Sequence, residues 1–183
     1  MKLENAAVVV IDVQRGLFDV EPRPYEADEV VDRINRLADK ARSAGAPVVF
    51  VQHETRAPGL AFGSDAWQLA RGLVFVEGDV LIRKTTPDAY LRTPLEGELV
   101  GRGIERVVIC GYATEFCVDT TARRSAALGF PVILAADAHT TQDKGHAKAV
   151  RIRVHHNATL SSVTSFGPAI RAVPEEDIEF VAR

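Results

Sequence analysis

The segment Ala6–Val13 reads AAVVVIDV and is apolar at every position except Asp12. Such a run, rich in β-branched residues, is typical of a strand that helices cover on both faces of a parallel sheet. Asp12 interrupts the run far short of the length that a membrane span needs, and no charged leader with a small-residue cleavage site accompanies it. The stretch therefore predicts a buried first strand over 6–13, with Asp12 at its carboxyl end.

Similar apolar runs recur along the chain and alternate with stretches of helical periodicity. Strands are predicted at 6–13, 47–53, 79–83, 106–110, 131–137 and 168–173, and helices at 26–44, 93–103, 114–128, 143–162 and after Pro174. The segment 55–78 is irregular and is expected to cross the edge of the sheet. This alternation predicts a mainly parallel sheet with helices on both faces, the doubly wound α/β class.

Size and composition restrict the possible functions. The chain has 183 residues, 46% of them hydrophobic and 26% charged, with a formal net charge of −3. These values predict a single domain over 1–183 that needs no disulfide or structural metal to fold. No basic block suggests a nucleic-acid partner, and nothing suggests a membrane partner. Two cysteines without an export signal predict a cytoplasmic protein.

Three reactive side chains follow predicted strands. Asp12 ends the first strand, Lys84 follows the third, and Cys117 lies just beyond the fourth, at the start of a helix. Ligands of open α/β sheets bind at the carboxyl ends of strands, so these three residues are expected to meet. With Thr114 as the helix N-cap, the helix dipole should lower the pKa of the Cys117 thiol. A carboxylate can then take the thiol proton while the lysine balances charge.

Each of these residues also has an ordinary interpretation when taken alone. Asp12 could close a turn, Lys84 could be a solvated surface lysine, and Cys117 could be a small core residue. Cys110 ends the apolar run RVVIC, so burial should raise the pKa of its thiol and leave it inert. The tight turn between strand and helix makes a disulfide between the two cysteines improbable.

The combination resembles a known family. The segments VVVIDVQRGLF around Asp12, RKTTPDAY around Lys84 and CGYATEFCVDTTARRSAALGF around Cys117 are similar to the signature of the isochorismatase-like cysteine hydrolases. That superfamily includes nicotinamidases, N-carbamoylsarcosine amidases and isochorismatases. The resemblance covers nearly the whole chain and implies a three-layer, six-stranded parallel sheet. It also implies a homo-oligomer, commonly a dimer or tetramer, that acts on a small molecule.

The resemblance also implies roles for the site residues. Cys117 would be the nucleophile, Asp12 the general base and then acid, and Lys84 an electrostatic support. A cis peptide would join Tyr112 to Ala113, so that the N–H groups of Ala113 and Cys117 form an oxyanion hole.

One departure from the family concerns metal. Nicotinamidases bind a metal through an Asp-x-His pair after the second strand and a further histidine. The matching positions here are Glu54-Thr55-Arg56, with His53 just outside. One carboxylate without its histidines is a poor metal site, so no metal or other cofactor is expected and nicotinamide is disfavoured as substrate. Since isochorismatases that cleave enol ethers often lack the cysteine, Cys117 favours hydrolysis of a C–N bond.

Further residues are candidates for contact with substrate. By resemblance they are Gln14, Phe18, Phe62, Trp67, Tyr112 and Phe116. Phe18 could equally be core, and Trp67 could simply anchor the irregular segment. For all five histidines, surface or packing roles are preferred. Two other functions stay open: hydrolysis of an isochorismate-like enol ether with Cys117 as a bystander, and a thiol redox or binding protein.

Overall fold

The computed structural model describes residues 1–56 and 59–182, and within them the chain forms eight strands in two sheets. The strands are β1 (Lys2–Leu3), β2 (Ala6–Ile11), β3 (Val48–His53), β4 (Val80–Lys84), β5 (Arg106–Tyr112), β6 (Val132–Thr140), β7 (Ile170–Val173) and β8 (Glu179–Phe180). The helices are α1 (Arg15–Phe18), α2 (Ala27–Ser43), α3 (Leu95–Gly101), α4 (Asp119–Ala127) and α5 (Ala149–Ser161). A π-helical turn, Thr114–Val118, leads directly into α4.

The main sheet has six strands in the order β4-β3-β2-β5-β6-β7, and all neighbouring strands run parallel. The chain builds outward from β2 through β3 to β4, and then crosses to β5 on the other side of β2. The strand order therefore reverses between β2 and β5, where open α/β sheets place their ligand sites. The predicted six-stranded parallel α/β fold is confirmed.

Alternate residues of β2 point into two apolar layers. Val8 and Val10 pack with α2 on one face, whereas Val9 and Ile11 pack with α3, α4 and α5 on the other. The apolar side of α2 consists of the residues that the periodicity predicts: Val30, Val31, Ile34, Leu37, Ala38 and Ala41 are all buried. Each large aliphatic side chain buried in this way contributes about 1.5–3 kcal/mol. These layers hold the carboxyl ends of β2 and β5 side by side.

The backbones of β2 and β5 approach closely at the edge where the site forms. Gly111 pairs with Ile11, has a φ of +112°, and leaves no room for a side chain. A Cβ at this position would lie 2.1 Å from the carbonyl oxygen of Ile11. Glycine is required here because both the positive φ and the close contact exclude a Cβ.

The C-terminal part of the chain differs from the sequence prediction in two places. The last long helix begins at Ala149 instead of residue 143, because the segment before it forms loop structure in which Asp143 Oδ1 accepts from the Ala149 N–H at 2.9 Å. The helix predicted after Pro174 is only a three-residue 3₁₀ turn. The chain then forms β8, which pairs with β1, a contact between the two ends of the chain that local periodicity does not encode.

Candidate active site

Asp12 and Lys84 form a buried ion pair at the carboxyl ends of β2 and β4. Lys84 Nζ lies 2.7 Å from Asp12 Oδ2, and the two side chains are 0% and 3% exposed. Lys84 is the last residue of β4, and its ammonium reaches across the end of β3 to Asp12. The ordinary interpretation of Lys84 as a solvated surface lysine is therefore wrong.

The Lys84 ammonium contacts more acceptors than it has protons. Besides Asp12, Nζ lies 3.1 Å from His53 Nδ1, 3.1 Å from the Thr86 carbonyl oxygen and 3.3 Å from Cys117 Sγ. An ammonium has three protons, so these four contacts cannot all be hydrogen bonds at once. The longest of the four contacts joins Lys84 Nζ to Cys117 Sγ. The Cys117 thiol therefore shares the Lys84 ammonium with one nitrogen acceptor and two oxygen acceptors.

The backbone of Asp12 turns sharply to present its carboxylate. Asp12 has a φ of +53°, a left-handed conformation that Asp tolerates better than most residues. Its N–H donates to the Val51 carbonyl oxygen at 2.9 Å, and its carbonyl oxygen accepts from Gln14. Within the described residues, Asp12 Oδ1 is buried and has no hydrogen-bond partner. One oxygen of the carboxylate is thus held by Lys84, and the other has lone pairs available for a proton.

Cys117 sits in the π-helical turn, and Thr114 is not the N-cap that the sequence suggested. Thr114 is the first residue of the turn, and Ala113 occupies the cap position. The Thr114 hydroxyl lies 2.8 Å from His139 Nδ1, so it is engaged away from the helix end. The wider π geometry is a common feature of functional sites in helices.

The expected lowering of the Cys117 pKa is wrong. Burial first, and then the Asp12 carboxylate, raise the pKa of the Cys117 thiol to about 12, and Lys84 only partly opposes them. Desolvation disfavours the charged thiolate at this buried position. The resting cysteine is therefore a thiol and needs a base. Cys110 is fully buried, and burial raises its pKa as predicted; both cysteines are free.

The peptide bond between Tyr112 and Ala113 is cis, at the position to which the resemblance assigns it. In the turn that follows, the Ala113 carbonyl oxygen accepts from the N–H groups of Phe116 and Val118 at 3.0 and 3.2 Å. The N–H of Cys117, which lies between them, is not bonded to that oxygen. Ala113 itself is buried beside the turn.

The geometry can be compared with known proteins. Residues 6–165 match the model of the Isochorismatase domain. The isochorismatase family protein YecD of Escherichia coli O157:H7 is 34% identical over 152 residues, which cover 75% of this chain and 81% of YecD. The chain belongs to the isochorismatase family.

Other relatives of this family member have names that specify a reaction. A streptothricin hydrolase of Streptomyces noursei is 36% identical over 75% of this chain, but the match spans only 50% of that enzyme. The ureidoacrylate amidohydrolase RutB of Stutzerimonas stutzeri is 27% identical over 96% of this chain and 86% of its own length. A crystal structure of an isochorismatase family protein superimposes with a TM-score of 0.84 at 35% identity, covering 92% of this chain and 98% of that one. Family membership and these names make the protein a hydrolase.

Two residues expected to contact substrate lie behind the site of this isochorismatase-family protein. Gln14 and Phe18 are both 0% exposed. Gln14 forms hydrogen bonds with the backbone N–H and carbonyl oxygen of His53, each at 2.9 Å, and with the Trp67 carbonyl oxygen. Phe18 packs edge-on against Tyr112, with ring centroids 5.8 Å apart. Neighbouring groups of the protein enclose both side chains, so neither is open to a ligand in this structure.

Phe62 and Trp67 fasten the irregular segment to the sheet. Trp67 is buried and takes the anchoring role that the sequence left open. Phe62 is 59% exposed and lies edge-on to Trp67 at 5.0 Å. The Arg83 guanidinium lies 3.7 Å from the centre of the Phe62 ring and is also paired with Glu54 at 2.7 Å. This cluster holds the segment against β4.

Tyr112 and Phe116 remain the candidates next to the nucleophile. Burial, together with smaller contributions from Glu115, Cys117 and Asp12, raises the pKa of Tyr112 to about 12. The Tyr112 phenol is therefore neutral at physiological pH. Phe116 precedes Cys117 in the π-helical turn and is 54% exposed, so its ring is available to a ligand.

The residues near the family's metal position are engaged otherwise. His53 Nδ1 faces the Lys84 ammonium, and Glu54 is paired with Arg83. Across 1–56 and 59–182, no three His, Cys, Asp or Glu side chains come together in a way that could hold a metal ion. The donor set therefore does not fit a nicotinamidase metal.

In the same described residues, no helix combines the length and apolar character needed to cross a bilayer.

The sequence interpretation missed two histidines that contact the site or its support. His53 accepts from Lys84, and because an ammonium only donates, Nδ1 carries no proton. Burial and then Lys84 lower the pKa of His53, which favours this neutral form. The available signal was position: His53 ends its predicted strand at the same edge as Asp12. The second histidine is His139, whose Nδ1 lies 2.8 Å from the hydroxyl of Thr114 in the π-helical turn.

Proposed function

We propose that this hydrolase cleaves a C–N bond of a small amide, using Cys117 as nucleophile, Asp12 as proton carrier and Lys84 as electrostatic support. The observation that carries the proposal is the position of Lys84 Nζ, 2.7 Å from Asp12 Oδ2 and 3.3 Å from Cys117 Sγ. One cation thus links a carboxylate to a thiol at the switch point of the sheet. The amidohydrolase name of one relative supports the same bond type.

The raised pKa of Cys117 supports a base-dependent attack. Because the thiol is protonated at neutral pH, its proton passes to Asp12 as Sγ bonds to the substrate carbonyl carbon. Asp12 Oδ1, buried and without a partner in the described chain, is suited to receive it. Lys84 stays beside both groups and balances the negative charge as it moves from Asp12 to the reacting centre.

The remaining steps follow from the same groups. The carbonyl oxygen gains negative charge and is held by the N–H groups of Ala113 and Cys117, each worth about 3–4 kcal/mol in the transition state. The C–N bond breaks, Asp12 returns the proton to the leaving nitrogen, and a thioester on Cys117 remains. Asp12 then takes a proton from water, whose oxygen attacks the thioester. The acid leaves, and the proton passes to Sγ to restore the thiol.

The test is a panel of small primary and N-substituted amides with release of ammonia or amine as readout. Wild type and Cys110→Ala should hydrolyse a common subset, whereas Cys117→Ala and Asp12→Asn should lose activity by at least about 1000-fold. Intact-mass analysis during turnover should find the acyl group on Cys117. Undiminished activity of Cys117→Ala overturns the proposal. If the Cys117→Ala variant hydrolyses an isochorismate-like enol ether as fast as wild type does, the protein is an enol-ether hydrolase in which the thiol takes no part.

A further inference from the structure

The strand β6 changes register where it passes the end of β5. Ile109 pairs with Leu134, but Gly111 pairs with His139. Regular pairing would have placed Gly111 opposite Ala136, so the register shifts by three residues (139 − 136). A bulge of this kind lengthens one strand relative to its neighbour and can re-aim a side chain. Here it places His139 beside the turn that follows β5.

Side chains from two helices hold the bulge in place. Asn157 of α5 donates from Nδ2 to the Ala136 carbonyl oxygen at 2.9 Å. Arg33 of α2 donates from Nη1 to the Asp137 carbonyl oxygen at 3.1 Å. Asp137 Oδ1 in turn accepts from the Glu175 N–H at 2.8 Å. Two carbonyl oxygens of the bulge and the Asp137 side chain are thus paired, which holds the backbone before His139 in place.

The hydrogen bonds of His139 determine its tautomer. Since Asn157 Nδ2 is bonded to Ala136, its Oδ1 faces His139 Nε2 at 2.8 Å and accepts the Nε2 proton. Nδ1 is then unprotonated and accepts from the Thr114 hydroxyl at 2.8 Å. Burial lowers the pKa of His139 to about 4, so the ring is neutral at physiological pH. A directed chain runs from Thr114 through His139 to Asn157 and the bulge.

Thr114 connects this chain to the nucleophile. It lies between Ala113, the proposed oxyanion donor, and the remainder of the π-helical turn that carries Cys117. Thr114 and His139 are both 0% exposed, so the pair touches neither substrate nor solvent. We propose that His139 is a positioning residue that fixes the turn by accepting the Thr114 hydroxyl, and so aligns Sγ of Cys117 with the oxyanion donors. This inference deepens the proposed function and rests on it.

The decisive variant is Thr114→Val, which keeps the shape of the side chain and removes only the hydroxyl. Loss of alignment should lower kcat about 10- to 100-fold with KM little changed, because small misplacements of reacting groups cost rates of this order. Thr114→Ser, which restores a hydroxyl, should recover most of kcat. The matched control is Thr159→Val, which removes an exposed Thr–His contact on α5 (3.2 Å to His155) and should leave kcat unchanged.

Two measurements test the inference without a substrate. Nitrogen NMR of the full-length protein should show His139 as the Nε2–H tautomer down to about pH 4, and Thr114→Val should shift the Nδ1 resonance. Alkylation of Cys117 by iodoacetamide should be faster in Thr114→Val, since a loosened turn exposes the thiol. An Nδ1–H tautomer overturns the inference, as do unchanged kcat and alkylation in a folded Thr114→Val. If wild type hydrolyses no amide, the proposed function fails while these two readouts still decide the role of His139.

Discussion

Replacing Lys84 by methionine should destabilise the fold strongly, because it leaves a buried carboxylate without its cation. The Lys84–Asp12 pair is 0% and 3% exposed with a distance of 2.7 Å between Nζ and Oδ2, and Asp12 Oδ1 has no hydrogen-bond partner in the described chain. Removing one member of a buried pair costs about 3–5 kcal/mol. For a protein of this size each kcal/mol lowers Tm by about 2–4 °C, so the expected loss is about 6–20 °C.

Two further variants isolate the charge effect. Lys148 and Asp143 form the same type of pair at the same 2.7 Å distance, but with 76% and 55% of the side chains exposed. Lys148→Met should therefore change stability little, since water screens such pairs. The double variant Asp12→Asn/Lys84→Met removes both charges and should be more stable than Lys84→Met alone.

Urea unfolding at pH 7, followed by circular dichroism, measures the free energy of unfolding of four proteins: wild type, Lys84→Met, Lys148→Met and the double variant. The reasoning is refuted if Lys84→Met is no more destabilised than Lys148→Met. It is equally refuted if the double variant is less stable than Lys84→Met, because the cost would then come from lost packing and not from the unpaired carboxylate.

Three other predictions follow from the same contacts. Iodoacetamide should modify native protein only at Cys117, with a rate that keeps rising beyond pH 10 because the pKa of this thiol is about 12; a plateau below pH 8 contradicts this. Gly111→Ala should cost about 3 kcal/mol or more in urea unfolding, since positive-φ strain and a steric clash each cost about 1–3 kcal/mol. Gly103→Ala is also at positive φ but has no atom within 4 Å of the added Cβ, so it should show only the loss of stability due to backbone strain. Equal losses of stability in the two variants would contradict the steric clash at Gly111. Between pH 6.5 and about 4 the unfolded state protonates His139 whereas the folded state does not, so this group removes up to about 3 kcal/mol of stability as the pH falls. His139→Asn should reduce that pH dependence, and parallel curves for the two proteins would refute the assignment.

The elements and the edge of the sheet that carries the site could be predicted from the sequence because their signals are local. Apolar runs and helical periodicity depend on neighbours a few residues away, so β2 and the buried side of α2 were recognisable. Asp12, Lys84 and Cys117 stood out because each follows a predicted strand, and parallel strands bring their carboxyl ends to one edge.

Other features depend on residues far apart in the chain and were decided by the tertiary structure. Gln14 and Phe18 follow Asp12 in sequence, yet groups from β3, the irregular segment and β5 enclose them. Cys117 begins a helix, yet burial and the carboxylate of Asp12 raise its pKa. In both cases the expectation considered only the strand or helix to which the residue belongs, and not the groups that other elements place around its side chain.

The sequence by itself determined the six strands of the main sheet, the long helices between them and the three residues at the strand ends, since these follow from side-chain polarity and spacing. The tertiary structure alone decided the register shift in β6, the contact of His139 with Thr114, and the protonation state of the Cys117 thiol. The physical reason is that hydrogen-bond partners and desolvation are set by whichever groups the fold brings within a few ångströms. For His139 and Thr114 those groups lie 25 residues apart in the chain.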